Sequence, residues 1–185
     1  ISKKFYASAE ELIAVDLPGA YSMSPFTSEE SITSAYVKNA NPDVIINVVD
    51  ATNLSRSLFF TTQLLELDVP VVVALNKTDI NDKKDTRINV AELSKKLGCP
   101  VIKTVSTDEQ GLAEVVKTAV EQVGKGQKAP YSQGEVDMEN KDEVMEADKK
   151  RFAFVNKIVA SVEKRKVLTR EKNSQDKLDE ILTNR

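Results

Sequence analysis

The chain has 185 residues and a formal net charge of −3; 41% of its residues are hydrophobic and 30% are charged. This composition suits one compact α/β domain with an appendage. It argues against a nucleic-acid partner, because no basic patch stands out beyond residues 164–166. With no histidine and a single cysteine, Cys99, the sequence excludes a Ser-His-Asp triad, a histidine-based metal site and an intramolecular disulfide. We therefore expect any metal to be bound by oxygen ligands, and we expect Cys99 to be a small hydrophobic side chain in the core.

The first two-thirds of the chain alternate short apolar runs with longer amphipathic ones. Continuous apolar runs predict strands buried on both faces, at residues 12–15, 43–50, 69–75 and 100–105. Helical spacing predicts helices between and after them, at residues 28–39, 53–67, 90–97 and 112–123. This repetition predicts an α/β fold with a mostly parallel sheet and flanking helices. The longest apolar run is far short of the roughly 20 residues that cross a bilayer, so we expect the chain as given to be soluble.

The composition changes after residue 123, and the sequence predicts three parts: an α/β domain over 1–123, a flexible linker over 124–141 and a small α-helical subdomain over 142–185. In the last part, an apolar stripe predicts a helix over about 142–168. Leu178, Ile181 and Leu182 predict a second, shorter helix. We expect both to pack against a neighbouring domain, since their apolar faces are modest for helices lying on a membrane.

The first candidate motif, D-x-x-G, follows the predicted strand 12–15 directly. It consists of Asp16, Leu17, Pro18 and Gly19. Ligands of α/β folds bind outside the carboxyl ends of strands, where an Asp can hold Mg²⁺ through water and a Gly N–H can reach a terminal phosphate. The motif is weak alone, because a turn that ends a strand has the same pattern.

The second motif, N-K-x-D, follows the predicted strand 69–75 and consists of Asn76, Lys77, Thr78 and Asp79. The Asp79 carboxylate can accept two hydrogen bonds from guanine that adenine cannot offer, so one residue can select the base. Asn76 is expected to tie neighbouring loops together, and the Lys77 stem to pack along the purine ring. Because the motif follows an apolar strand, it is a far more specific signal than the four-residue pattern would be alone.

A third loop, containing Ser106 and Thr107, follows the last predicted strand. We expect it to present backbone N–H groups to the guanine carbonyl oxygen. Because the three motifs occur in this order, each at the end of a strand, the sequence predicts one guanine-nucleotide site.

The motifs and two longer strings resemble the cytosolic G domain of ferrous iron transport protein B (FeoB). The strings are D-L-P-G-A-Y-S-M-S-P at 16–25 and N-V-V-D-A-T-N-L at 47–54, the latter followed by T-T-Q-L at 61–64. Residues 176–185 are similar to the segment before that family's first membrane helix. The resemblance covers residues up to about 123 and the last ten.

The resemblance implies a P-loop GTPase-like fold and a GTP-hydrolysing regulatory domain of a bacterial Fe²⁺ transporter. It implies GTP or GDP with Mg²⁺, and K⁺ stimulation. The implied partner is a transmembrane permease part of the same polypeptide at the cytoplasmic face of the inner membrane, and a homo-oligomer is left open. Residues 142–185 correspond to a helical domain that influences nucleotide release and is shorter here.

Two departures affect the implied chemistry. The family's phosphate-cradling loop and its Mg²⁺-binding Thr are expected upstream of Ile1, as is the asparagine of the K⁺ site, so this chain alone should bind GTP poorly and we assign it no catalytic residue. Ala20 stands where many small GTPases carry the Gln that orients water, which predicts slow hydrolysis in the intact protein.

Two alternatives stay open from the sequence. The chain could be another GTPase of the superfamily, of the translation-factor type or acting in ribosome assembly or tRNA modification, although that would need a basic RNA-binding appendage. It could also be a degenerate or truncated G domain that acts as a protein-interaction scaffold.

Overall fold

The structure is a computed structural model that describes residues 2–7, 10–22, 28–134, 136–137 and 140–165. Residues 23–25 of the string quoted above, and the predicted helix with Leu178, Ile181 and Leu182, lie outside these residues. The elements, in chain order, are β1 (Ser2–Ala7), β2 (Glu10–Val15), α1 (Ser28–Asn39), β3 (Ile45–Asp50), α2 (Leu54–Leu64), β4 (Val71–Asn76), α3 (Thr78–Lys83), β5 (Thr86–Ile88), α4 (Val90–Leu97), β6 (Val101–Lys103), α5 (Leu112–Gln122), α6 (Lys141–Val162) and β7 (Glu163–Arg165).

A parallel sheet of β3, β4 and β6, in that order, forms the centre of the fold. Ile45 pairs with Val71 and Val73 with Val101, so the carboxyl ends of the three strands meet at one edge. The first five residues of β4 are buried, as its continuous apolar run predicts for a central strand. The predicted parallel sheet with flanking helices is confirmed.

The strand predicted at residues 12–15 is present as β2, but the prediction that it is buried on both faces is wrong. β2 pairs antiparallel with β1, and in the described part of the chain it joins no other strand. Ile13 is therefore 62% exposed. Strand β3 is also exposed on one face. Ile46 and Val48 on that face are exposed, whereas Asn47 and Val49 on the opposite face are buried. The apolar runs therefore predicted both strands correctly, but they did not predict which faces other elements pack against.

The predicted helices of the α/β part are present, with local differences at their ends. Helix α1 has the predicted bounds, and α4 begins after the cap Asn89 and ends at Gly98 in the left-handed conformation. Helix α2 begins one residue later than predicted, since residues 51–53 form a 3₁₀ turn whose cap, Asp50, accepts from the Thr52 N–H. Sequence reasoning missed β1, α3, β5 and β7, which are short or lack an apolar period.

Helix α6 was predicted to continue to about residue 168, and its described end shows that this was wrong. The helix ends at Val162, and Glu163–Arg165 form β7, which pairs antiparallel with β5. The Asn89 N–H donates to the Val162 carbonyl at 2.8 Å, so the backbone leaves the helix where a neighbouring strand offers hydrogen bonds.

Both faces of the parallel sheet carry an apolar layer. One cluster joins β3 and β4 to three helices, and α6 contributes Val155, Ile158 and Val162 to it. The other cluster packs α5 on the opposite face through Val115 and Ala119. Within the described residues, no helix has the length and hydropathy of a bilayer-spanning segment.

Candidate functional site

The loops that follow β3, β4 and β6 lie next to one another because the strands are parallel and in register. Asp50, the last residue of β3, pairs with Asn76, the last residue of β4, and Leu75 pairs with Lys103 of β6. The fold therefore brings the predicted base-reading loops at 76–79 and 106–107 together at one edge of the sheet.

Asn76 connects these two loops through its side-chain amide. Its Oδ1 accepts from the Ser106 N–H at 3.1 Å and from the Thr104 hydroxyl at 3.4 Å, and its Nδ2 lies 3.1 Å from Ser106 Oγ. Because one amide bonds both the backbone and the side chain of Ser106, the spacing of the loops is fixed. The Ser106 N–H is used within this network, and Thr107 lies exposed in the 3₁₀ turn Ser106–Asp108.

Of the remaining residues of the N-K-x-D motif, Thr78 is buried and anchors the backbone, whereas the side chains of Lys77 and Asp79 are partly exposed. Lys77 has a φ of 63°, which turns the chain sharply out of β4. Thr78 is buried, and its hydroxyl donates to the Thr104 carbonyl at 3.3 Å. Asp79, in the first turn of α3, is 35% exposed and lies 3.4 Å from Lys83, one turn later. The backbone is thus held by the buried Thr78, while the Asp79 carboxylate is partly exposed.

Two further residues, Asn81 of α3 and Asp50 at the end of β3, join this loop to the end of β3, and sequence reasoning missed both. Asn81 is buried and donates to the Ala51 carbonyl at 2.8 Å. Asp50 Oδ2 lies 2.6 Å from Lys77 Nζ. The signal for Asp50 was its position, since polar residues at the carboxyl ends of buried strands meet ligands in this class of fold.

The ionisation of the Asp50–Lys77 pair follows from its contacts. Burial acts to raise the pKa of Asp50, but hydrogen bonds from Lys77 and Thr52 outweigh it and hold that pKa below its usual value. The hydrogen bond and the charge of Asp50 raise the pKa of Lys77. Both groups are therefore charged at neutral pH.

The predicted phosphate-side loop, residues 16–19, lies against α1, and Tyr21, two residues after it, contacts α2. Asp16 and Gly19 are exposed at the end of β2, and the Pro18 carbonyl accepts from the Thr33 hydroxyl of α1 at 3.0 Å. The Arg56 guanidinium of α2 lies 3.8 Å from the centre of the Tyr21 ring. Residues 16–21 thus contact two helices, whereas Asn76 bonds the loop after β6.

No other ligand-binding centre of clear chemistry appears in the described part of the chain. That part holds no group of three or more His, Cys, Asp or Glu side chains that could bind a metal. Cys99 is buried, as predicted, and burial raises the pKa of its thiol to about 12, so it stays neutral. A groove of about 630 Å³ lies along α6 and contains none of the predicted site residues.

Comparison with known proteins identifies the family. Residues 2–119 match the sequence model of ferrous iron transport protein B. The chain belongs to the FeoB family. The Fe(2+) transporter FeoB of Salmonella typhimurium is 44% identical over 122 residues, which are 64% of this chain and 16% of that protein. The chain thus spans about a sixth of the length of the curated FeoB proteins it matches, and the alternative of another GTPase family is wrong.

Solved FeoB structures share the fold. The cytosolic domain of L. pneumophila FeoB superposes with a TM-score of 0.79 at 24% identity, covering 89% of this chain and 85% of that one. A mutant of S. thermophilus NFeoB bound to GDP is 26% identical, with a TM-score of 0.69 and coverage of 88% and 86%. The fold of this chain is that of FeoB cytosolic domains.

Proposed function

We propose that the chain is the guanine-nucleotide-binding part of a GTP-hydrolysing cytosolic domain, which regulates a ferrous-iron transporter from the cytoplasmic face of the membrane. The observation that carries the proposal is the Asn76 network, which joins the loops after β4 and β6 beside the partly exposed Asp79 carboxylate. The GDP bound to the S. thermophilus relative supports it.

On the base side, we assign Asp79 to the guanine ring N–H and exocyclic amine, and Lys77 to one face of the ring. Two parallel hydrogen bonds to a carboxylate are strong and geometrically selective, and adenine would leave that carboxylate unpaired. The Ser106 N–H donates to Asn76 and the Asp108 N–H to the Val105 carbonyl, so the Thr107 N–H between them is assigned to the guanine carbonyl oxygen.

On the phosphate side, Asp16 and Gly19 are assigned to the terminal phosphate. An exposed carboxylate at the end of a strand suits a water-mediated ligand of Mg²⁺, a hard ion that prefers oxygen and keeps several waters. When bound, that ion neutralises phosphate charge. The Gly19 N–H would sense the phosphate directly, so the loop that carries it would order and release with nucleotide state.

Hydrolysis in the intact protein is expected to be slow. Ala20, which follows Gly19, has no group that could orient a water molecule. Backbone groups and ions, including K⁺, would then position the attacking water. We place no catalytic side chain among the described residues.

The base assignment is tested by nucleotide titration of the full-length gene product and its Asp79→Asn variant. The unchanged protein should bind GDP and GTP in clear preference to ATP. Asp79→Asn should weaken GDP binding by roughly 100-fold, because an amide cannot accept two hydrogen bonds. It should favour xanthosine diphosphate, whose carbonyl at the same ring position accepts from the new amide.

The matched control is Asp82→Asn, which removes the same charge from an exposed position on the same helix. It should leave all affinities unchanged. Equal affinity of the unchanged protein for GTP and ATP, or a GTP preference that survives Asp79→Asn, would contradict the proposal.

A further inference from the structure

Lys77 is held at its backbone and at the end of its side chain. Its backbone is in the left-handed region, with a φ of 63°, and its side chain is 49% exposed. A lysine stem of this exposure ordinarily samples many rotamers. Here its Nζ lies 2.6 Å from Asp50 Oδ2, so both ends of the side chain are fixed.

Asp50 is itself fixed by its own strand and turn. Its Oδ1 accepts from the Thr52 N–H at 2.8 Å and from the Thr52 hydroxyl at 2.7 Å, while its backbone N–H donates to Ser57 Oγ at 3.3 Å. One carboxylate oxygen therefore caps the 3₁₀ turn and the other receives Lys77. Its place beside Asn76 in the sheet register sets the distance across which Lys77 must reach.

We propose that Asp50 is a positioning residue of the base site, which anchors Lys77 Nζ so that the lysine stem lies ready along one face of the guanine ring. The inference rests on the function proposed above and adds to it a residue outside the N-K-x-D motif. Asp50 touches neither the base nor the phosphates in this arrangement, and acts through Lys77.

The alternative, that the pair serves only stability, fits the exposure poorly. Ion pairs between side chains as exposed as these contribute little to the free energy of unfolding. In contrast, a side chain that is already ordered loses less conformational entropy when a ligand binds, so the ligand binds more tightly. The expected loss for one such side chain corresponds to a roughly three- to tenfold weaker affinity.

The test uses Asp50→Asn in the full-length gene product, titrated with GDP and GTP, with nucleotide release followed by stopped flow. Asparagine caps turns as well as aspartate does, so the substitution removes the charge and keeps the cap. Affinity should fall by roughly three- to tenfold for GDP and by the same factor for GTP, since the contact lies on the base side.

A double-mutant cycle separates positioning from a structural role. Lys77→Met keeps the stem and removes the charge, so Asp50→Asn should cause no further loss in that background. A structural role of Asp50 would instead weaken binding by the same factor in both backgrounds. Asp82→Asn serves again as the charge-matched control and should bind as the unchanged protein does.

The remaining outcomes are distinguishable. Asp50→Ser, which also caps the turn and is too short to reach Lys77, replaces Asp50→Asn if the latter does not fold; failure of both to fold would assign Asp50 to the fold and overturn the inference. Guanine preference that depends on Asp79 but not on Asp50 would overturn this inference alone. No guanine preference in the unchanged protein would overturn both proposals.

Discussion

Lys77 and Gly111 are left-handed backbone positions beside the base-reading edge of the sheet. Lys77 adopts this conformation with a side chain present, at a cost of about 1–2 kcal/mol that its anchored backbone must offset. Gly111, between the Ser106 loop and α5, has a φ of 76°, and a Cβ there would clash with the Lys103 carbonyl oxygen. Glycine at 111 is thus required by both conformation and space, and it allows the Ser106 loop to close against β6.

Replacing Gly111 with alanine should lower the free energy of unfolding by about 3 kcal/mol, because left-handed strain adds to a clash with backbone. The measurement is urea unfolding followed by circular dichroism. The control is Gly124→Ala, at a φ of 73° with nothing within 4 Å of the added Cβ, which should cost only about 1 kcal/mol. Similar losses at the two positions would show that the clash is absent.

Helix α2 is the element that connects the two sides of the site to α6. Its Arg56 contacts Tyr21, two residues after the phosphate-side loop, and its Ser57 hydroxyl oxygen accepts a hydrogen bond from the Asp50 N–H. It also packs on α6, where the centres of the stacked Phe59 and Phe152 rings lie 4.2 Å apart. Helix α2 therefore contacts both Tyr21 on the phosphate side and Phe152 of α6.

The stacked pair should account for a measurable part of this contact. Phe152 is 39% exposed, so Phe152→Ala should lower the free energy of unfolding by about 1–2 kcal/mol, less than for a fully buried ring. Met145→Ala, at a 52% exposed position of the same helix, is the control and should cost under about 0.5 kcal/mol. Chemical denaturation of both variants checks this, and a smaller effect for Phe152 than for Met145 would refute it.

At the scale of the whole molecule, Arg151 joins α6 to the α/β part. The residue is 3% exposed; its guanidinium pairs with Glu66 and donates to the Thr62 hydroxyl at 3.3 Å. Glu66 also accepts from the Gln133 N–H at 2.6 Å, which ties in the connecting segment. The division into 1–123, 124–141 and 142–185 stays a prediction, but within the described residues α6 packs into the same core as the sheet.

Arg151→Met should lower the free energy of unfolding by about 2–3 kcal/mol. Breaking a buried pair costs about 3–5 kcal/mol, and the partial exposure of Glu66 lets water recover some of that. Lys150→Met breaks an exposed pair with Glu146 and should cost under about 0.5 kcal/mol. Guanidinium denaturation with circular dichroism measures both, and equal losses would contradict the role of Arg151.

The sequence by itself determined the strands of the parallel sheet, most of the helices and the loops that carry Asp16–Gly19, Asn76–Asp79 and Ser106. These follow from local signals: apolar runs, helical spacing and polar residues placed at strand ends. The tertiary structure alone decided that β2 is exposed, that Lys77 pairs with Asp50 and that Arg151 pairs with Glu66. Those partners are 27 and 85 residues apart, and no local pattern encodes which distant side chains the packed layers bring into contact.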